Sequence, residues 1–351
     1  MRKEEPVLLL LTPGFPANES DSTCLPAQQN FLLAFNKLKP AVKVIIISLQ
    51  YPFDRTVYHW HGNRVFAMGG KNKKGLVRRL LWQRTAVLLT KLQQQHHVCG
   101  LLSFWCDECA LLAARFSNKY HLPHYCWLLG QDAKKGNRYV SKIAGRKNGF
   151  IALSDFISRS FTEHYHIQPA ATIPLGIEPA QFPVAFMEKD IDLLAAGSLI
   201  PLKQFDIFIR VAGVMKIFFP GLKIILCGDG PELKHLKTLA MQQGIAANIS
   251  FTGELPHSAL LQLMQRTKVF LHPSLYEGFG MVCAEALYAG AQVISFCKPA
   301  DVTIKNWHIV SGEEEMKQKA AHLLQHLPAP ERVLYSSSAE TAAAIAGLFG
   351  I

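Results

Sequence analysis

The stretch His272-Pro273-Ser274-Leu275-Tyr276-Glu277-Gly278-Phe279-Gly280-Met281-Val282-Cys283-Ala284-Glu285-Ala286-Leu287-Tyr288-Ala289-Gly290 follows an apolar run of strand length, Lys268-Val269-Phe270-Leu271. A glycine-rich turn comes next, then a helix-like segment. Strand, glycine turn and helix together make an anion site in α/β proteins, because N–H groups at a helix start point at the ligand and the dipole favours negative charge. Glu277 and Glu285 stand here with seven residues between them. Two carboxylates repel a bare phosphate. They suit a ligand that also carries hydroxyls, since a carboxylate only accepts hydrogen bonds. A sugar joined to a nucleoside diphosphate has both kinds of group.

The same alternation runs outward in both directions. Strand-length apolar runs lie at Val7–Leu11, Val42–Ser48, Val98–Phe104, His124–Leu129 and Gly149–Leu153, with helix-like stretches such as Pro26–Leu38, Leu76–Leu92 and Asp107–Lys119 between them. The second half repeats it at Asp192–Ala196, Lys223–Cys227, Ile249–Thr252, Lys268–Leu271 and Gln292–Phe296. Strands separated by helices predict parallel sheets covered on both faces. The 351 residues exceed what one core holds, so two Rossmann-like α/β domains are expected. Prolines and glycine crowd Pro174–Pro183, which puts the division at residues 1–178 and 179–330, with a last helix in 331–351. Open sheets of this kind bind ligands at the carboxyl ends of their strands, and two such sheets are expected to face each other across a cleft.

Composition narrows the class. Hydrophobic residues make up 49% and charged residues 18%, the balance of a globular chain. The net charge is +11, and residues 1–180 carry 23 Lys and Arg against 11 Asp and Glu, so the excess lies wholly in the first half. That excess is either a solvated basic surface or an attraction to anionic lipid or substrate. The basic stretch Leu76–Leu88, preceded by Lys71, Lys73 and Lys74, suits an ordinary surface helix or one lying on an anionic bilayer. No nucleic-acid-binding pattern is present, so nucleic acid is not expected as a partner. No run reaches the ~20 apolar residues of a membrane helix, and the apolar stretch after Met1–Pro6 is too short for a leader peptide. Eight scattered cysteines suit a reducing cytoplasm, and Cys106-Asp107-Glu108-Cys109 reads as helix-face thiols.

Further candidates sit at other strand ends. Pro201 suits a first helical position, which places Lys203 in a first turn, where a cation is disfavoured unless an anion is near. Gly228-Asp229-Gly230-Pro231 follows the strand Lys223–Cys227 and is placed as a wall for a nucleobase. In the first half, Gly14 after the first strand either approaches a ligand or forms a plain turn. Asp132 in Gly130-Gln131-Asp132 either orients a sugar or caps the next helix. Phe279 and Met281 either pack beneath their turn or border the ligand. No metal cluster stands out, and Asp190-Ile191-Asp192 begins a strand instead of ending one.

Over Asp192–Phe296 these motifs resemble glycosyltransferase family 4, the large retaining family with the GT-B fold. The likeness rests on the glycine before Lys203, Gly228-Asp229-Gly230-Pro231, Phe251-Thr252-Gly253, and Pro-Ser-x-x-Glu-Gly-Phe-Gly with its two glutamates. In the first half it rests on strand order and on Ile173–Ile177. The resemblance implies two doubly wound domains with the last helix returning to the first, and a nucleotide-sugar substrate with no cofactor or metal. It implies Lys203 on the diphosphate, Glu277 on the donor sugar beside Gly278, Phe279, Gly280, Met281 and Val282, and Glu285 on the ribose. Three positions depart from the pattern. Ser198 at the donor loop replaces an arginine, Leu129 replaces a histidine, and Cys297-Lys298-Pro299-Ala300-Asp301 replaces a Gly-Gly-x-x-Glu segment, with Lys298 a candidate for the missing cation. The function expected is sugar transfer from UDP or GDP to a glycan or lipid-linked acceptor, in the cytoplasm or at the inner membrane face. The alternative is an idle sugar-nucleotide binder or an epimerase on the same fold.

Overall fold

A computed structural model of the chain describes residues 5–145 and 148–351. Of the segment Met1–Pro6, weighed and set aside as the start of a leader peptide, residues 1–4 lie outside the described residues. The chain forms two compact units, one running to Gly176 and including Ser338–Ile351, the other Ile177–Ser337.

The first unit opens with β1 (Pro6–Gly14), α1 (Pro26–Leu38), β2 (Lys43–Tyr51), β3 (Thr56–Trp60), β4 (Asn63–Ala67) and α2 (Gly75–Gln95). It continues with β5 (His97–Phe104), α3 (Glu108–Tyr120), β6 (His124–Leu128), α4 (Val140–Ile143), β7 (Asn148–Ala152), α5 (Asp155–Tyr165) and β8 (Ala171–Thr172). The sheet order is β3-β4-β2-β1-β5-β6-β7-β8. Central strands are apolar along their whole length because both faces are covered: Leu8–Leu11 and Ile45–Ile47 are all buried. α2 and α3 close one face, with Leu81, Leu89, Leu112 and Phe116 packing on Leu9, Leu11 and Ile47. Caps are local: Asp107 accepts from the Cys109 amide (2.7 Å) and Ser154 from the Ile157 amide (3.2 Å).

One expectation fails here. The sheet is mixed, because β3 runs antiparallel to β4. The two join through His61 (φ 44°) and Gly62 (φ 80°), a two-residue hairpin with both φ values positive. Histidine replaces the usual Asn or Asp in that turn, and the β3 sequence Thr-Val-Tyr-His-Trp is largely exposed, so no apolar run marks it.

The second unit contains β9 (Ile191–Ala196), α6 (Phe205–Phe218), β10 (Ile224–Cys227), α7 (Leu233–Gln242), β11 (Ile249–Gly253), α8 (His257–Gln265), β12 (Thr267–His272), α9 (Met281–Tyr288), β13 (Gln292–Ser295), β14 (Trp307–Ile309) and α10 (Glu313–Gln325). Its order is β11-β10-β9-β12-β13-β14, and every adjacent pair is parallel. Phe208, Val211 and Met215 of α6 share a core with Leu193, Leu226, Val269 and Met316.

The last helix, α11 (Ser338–Phe349), belongs to the first unit. Thr341 Oγ1 donates to Pro174 O (2.8 Å), and Phe349 meets Tyr125 edge-on with centroids 5.1 Å apart. Gly100 of β5 makes room for this docking, since a Cβ there would lie 2.5 Å from the Phe349 ring. Gly347, in the same helix, has open space around its missing Cβ. Gly100→Ala is therefore expected to cost about 1–3 kcal/mol by overpacking and to raise hydrogen exchange in α11. Gly347→Ala should gain roughly 0.5–1 kcal/mol from helix propensity. Denaturant unfolding of the two variants checks both signs.

Candidate active site

In the second unit the chain leaves β9 on one side for β10 and β11, then crosses back to β12 on the other side. The carboxyl ends of β9 and β12 therefore flank a topological switch point, where open α/β sheets bind ligands. Lys203 lies beyond β9, and His272 and Glu277 lie at the end of β12 and just past it. Backbone contacts hold the two loops in register: Leu275 N–H donates to Leu202 O (3.0 Å). The Lys203 Nζ donates to Glu277 Oε1, and His272 Nε2 approaches the same oxygen at 2.9 Å. A carboxylate can only accept, so His272 donates through Nε2. Its Nδ1 is buried and lacks a partner among the described residues. Burial raises the Glu277 pKa, but the His272 hydrogen bond and charge, together with Lys203, outweigh it and hold the carboxyl at about 2.

Lys203 reaches this place by a different route from the one expected. It closes a 3-10 turn, Pro201–Lys203, and α6 starts only after Gln204, whose φ is 48°. Its charge is answered by Glu277, not set against a helix start. Beyond Glu277 the turn ends at Gly280 (φ 84°), whose left-handed backbone starts α9. The first N–H groups of α9, from Met281 and Val282, point away from the helix without intrahelical acceptors. Both residues are half-buried, while Phe279 is core, with its ring centroid 6.0 Å from Trp307 and 5.2 Å from Tyr335.

Glu285 lies on α9 and is 7% exposed. Its Oε1 is 2.8 Å from Nε2 of His257, the first residue of α8. Burial depresses the His257 pKa, but the hydrogen bond and charge of Glu285 reverse this and raise it. This partner compensates the burial of an acid on an otherwise apolar helix. The neighbouring loops pack backbone on backbone. A Cβ on Gly228 (φ 132°) would fall 1.9 Å from Gly197 O, and Leu199 N–H donates to Asp229 O at 2.9 Å. Ser198 is exposed on the loop beyond β9. Lys298 is exposed too and lines a cavity of about 230 Å³ with Val302, Thr303 and Trp307. The acids of Asp190-Ile191-Asp192 are committed to cations: Asp190 to Arg266 and Lys223, Asp192 to Lys268.

Gly14 and Asp132 belong to the first unit, apart from this cluster in the chain's division. Asp132 sits within a 3-10 turn, Gln131–Ala133, and is not a cap. Its carboxylate accepts from the amides of Cys106 (2.9 Å) and Gly130 (2.8 Å), so it ties a loop together instead of facing outward. A Cβ on Gly14 would make only an ordinary 3.7 Å contact with Tyr51, so no crowding within the protein requires glycine there. The sequence reading gave no role to His272 or His257. A histidine ending an otherwise apolar strand at the ligand edge was the available signal for the first. His257 had none, because its partner lies 28 residues away.

Residues 177–327 match the family described as glycosyl transferases group 1. The match is confined to this part of the chain. The gpi3 subunit of phosphatidylinositol N-acetylglucosaminyltransferase from Schizosaccharomyces pombe is 31% identical over 206 residues, covering 57% of this chain and 45% of that protein. Glycogen synthase from Mycobacterium tuberculosis is 25% identical over 177 residues, covering 49% of this chain and 43% of that protein. The chain thus spans less than half the length of these two relatives. Among solved structures, sucrose-phosphate synthase from Thermosynechococcus elongatus aligns with a TM-score of 0.71 at 16% identity, covering 99% of this chain and 96% of that one. Anabaena HepE in complex with UDP and glucose aligns at 0.67 and 17% identity, covering 98% and 95%. The fold is GT-B, as the sequence motifs implied, and the matched segment 177–327 holds the whole Lys203–His272–Glu277 cluster.

The depressed Glu277 pKa carries a pH signature. A carboxyl held at about 2 in place of its ordinary 4.5 contributes stability that is present above pH 4.5 and lost as pH falls toward 2. The shift corresponds to about 3 kcal/mol. Urea unfolding between pH 5 and pH 2 should show this extra loss in wild type relative to Glu277→Gln. Parallel curves for the two proteins would contradict the assigned ion pairing.

Proposed function

We propose that the protein is a glycosyltransferase that moves a sugar from a nucleoside diphosphate to a hydroxyl of a glycan or lipid-linked acceptor. The observation that carries this reading is the meeting of Lys203, His272 and Glu277 at the β9/β12 switch point, directly before the start of α9. The Lys203 ammonium and the N–H groups from Gly278 to Val282 suit the diphosphate. Glu277 suits the hydroxyls of the transferred sugar, and Glu285, oriented by His257, suits those of the ribose. Gly228 and Ser198 border the same loops on the nucleotide side. Positive groups waiting where the leaving diphosphate gathers charge lower the barrier electrostatically, which requires neither a metal nor a cofactor in this scheme. Retention at the anomeric carbon is part of this reading, taken from the resemblance of the second unit to glycosyltransferase family 4.

The resting site has one further consequence. Lys203 is engaged by Glu277 before any donor arrives, so binding exchanges a carboxylate for the diphosphate on that ammonium. Glu277 keeps His272 as a donor during the exchange and stays ionised. No described helix is long and apolar enough to cross a membrane. The basic first unit, with Leu76, Val77 and Leu80 exposed beside Arg79 on α2, supports peripheral attachment to an anionic membrane from the cytoplasmic side.

Two measurements test the reading. UDP or GDP should raise the melting temperature of wild type, and the better of the two names the donor base. Lys203→Ala and Glu277→Gln should each lower the rate of donor hydrolysis or transfer by about 10²–10³-fold. Unchanged rates in both variants would refute the assignment. Nucleotide binding without turnover on any acceptor would favour the idle binder instead.

A further inference from the structure

The first unit repeats, around β1, the arrangement that the second has around β9. The chain leaves β1 to one side for β2, then returns to the other side for β5. A cavity of about 270 Å³ opens where these two neighbours of β1 end. Gln50, near the end of β2, and Asp107 and Glu108, beyond β5, form its floor. Lys73, Lys74 and Arg78, from the start of α2 and the loop before it, line the same cavity, as does Tyr139.

The floor is built by a connected set of hydrogen bonds. One oxygen of the Glu108 carboxylate accepts from Gln50 Nε2 and the other from Trp82 Nε1 (2.5 Å). Gln50 Oε1 in turn accepts the Asn72 amide at 2.8 Å, which pins the loop bearing Lys73 and Lys74. Arg78 lies over the Trp82 ring with 5.4 Å to the centroid, so its guanidinium is steered without using its N–H donors. No ion pair engages Lys73, Lys74 or Arg78 among the described residues, although two carboxyl groups share their cavity. Asp107 brings less negative charge than its type suggests, since burial pushes it up to about 7 despite the Cys109 amide. Three uncommitted cations on one wall and hydroxyl-accepting groups on the floor are the two halves of one ligand chemistry.

We propose that this cavity binds a polyol carrying a phosphate ester, with the phosphate held by Lys73, Lys74 and Arg78 and the hydroxyls by Asp107, Glu108 and Tyr139. Under the transferase reading, on which this last step rests, that polyol is the acceptor. Phosphate esters of this kind occur free or as lipid headgroups, and the cavity chemistry is the same for both.

Direct binding tests the site without relying on transfer. Calorimetry with glucose 6-phosphate, glucose, and dihexanoyl phosphatidylglycerol is expected to show both phosphate esters binding more tightly than glucose. A tighter grip on the phosphatidylglycerol assigns the lipid-borne form, and a tighter grip on the sugar phosphate the free form. Arg78→Gln and Lys74→Gln should each weaken phosphate-ester binding by about tenfold. Arg115→Gln, on α3 beside Trp82 but outside this cavity, should leave it within twofold. The nucleotide-induced rise in melting temperature should survive all three substitutions, so failure here is distinct from failure of the donor-site reading. Glucose binding as tightly as glucose 6-phosphate, no binding of either ester at millimolar concentration, or equal losses in Arg78→Gln and Arg115→Gln would overturn the proposal.

Discussion

A single carboxylate oxygen, Glu277 Oε1, receives both Lys203 and His272. These two donors come from the ends of different strands, β9 and β12. Burial alone would drive Glu277 toward its neutral form; the donors His272 and Lys203 reverse that and keep it charged. A buried ion pair contributes little net stability, because desolvation offsets most of the attraction. Removing one partner, however, strands an uncompensated charge. The cluster therefore acts as a geometric constraint, which locks the two loops at the switch point into one arrangement.

The backbone beneath it obeys a similar constraint. Gly228 lies so close to Gly197 that no side chain fits between them, and Gly230 meets Leu199 in the same way, with a Cβ there only 2.5 Å from Leu199 O. Loops packed backbone against backbone present N–H and C=O groups to a ligand instead of side chains. A surface built this way can take a phosphate and several hydroxyls with few charged residues. The charge excess of the chain lies elsewhere, in the first unit, where Lys73, Lys74 and Arg78 surround a floor of organised acceptors. The second unit matches each of its key charges internally; the first leaves three cations uncommitted beside its cavity.

Parallel strands were readable because covering both faces forces apolar runs: Val7–Leu11 and Val98–Phe104 fall within observed strands, and Val42–Ser48 does so in all but its first residue. α1 begins and ends where Pro26 and Leu38 suggested, since proline at a first helical position is a local signal. The hairpin of β3 and β4 escaped notice because its turn uses His61-Gly62 and its first strand faces solvent. Lys203 was singled out by an argument about a helix dipole that its 3-10 turn does not support, and Asp132, read either as orienting a sugar or as capping the next helix, instead accepts from three amides of nearby loops.

The sequence by itself determined what local chemistry controls: alternating strands and helices, a glycine turn opening α9, and the two glutamates spaced around it. Those features depend on residues near one another in the chain, so periodicity and turn preferences reveal them. Only the tertiary structure decided the partners. His272 with Lys203 on Glu277, His257 on Glu285, and Gln50 and Trp82 on Glu108 are pairings across 26 to 74 residues, or between a strand end and the loop it folds under. Nothing in residue spacing encodes them, because strand order in the sheet, and not distance along the chain, sets which loop ends meet.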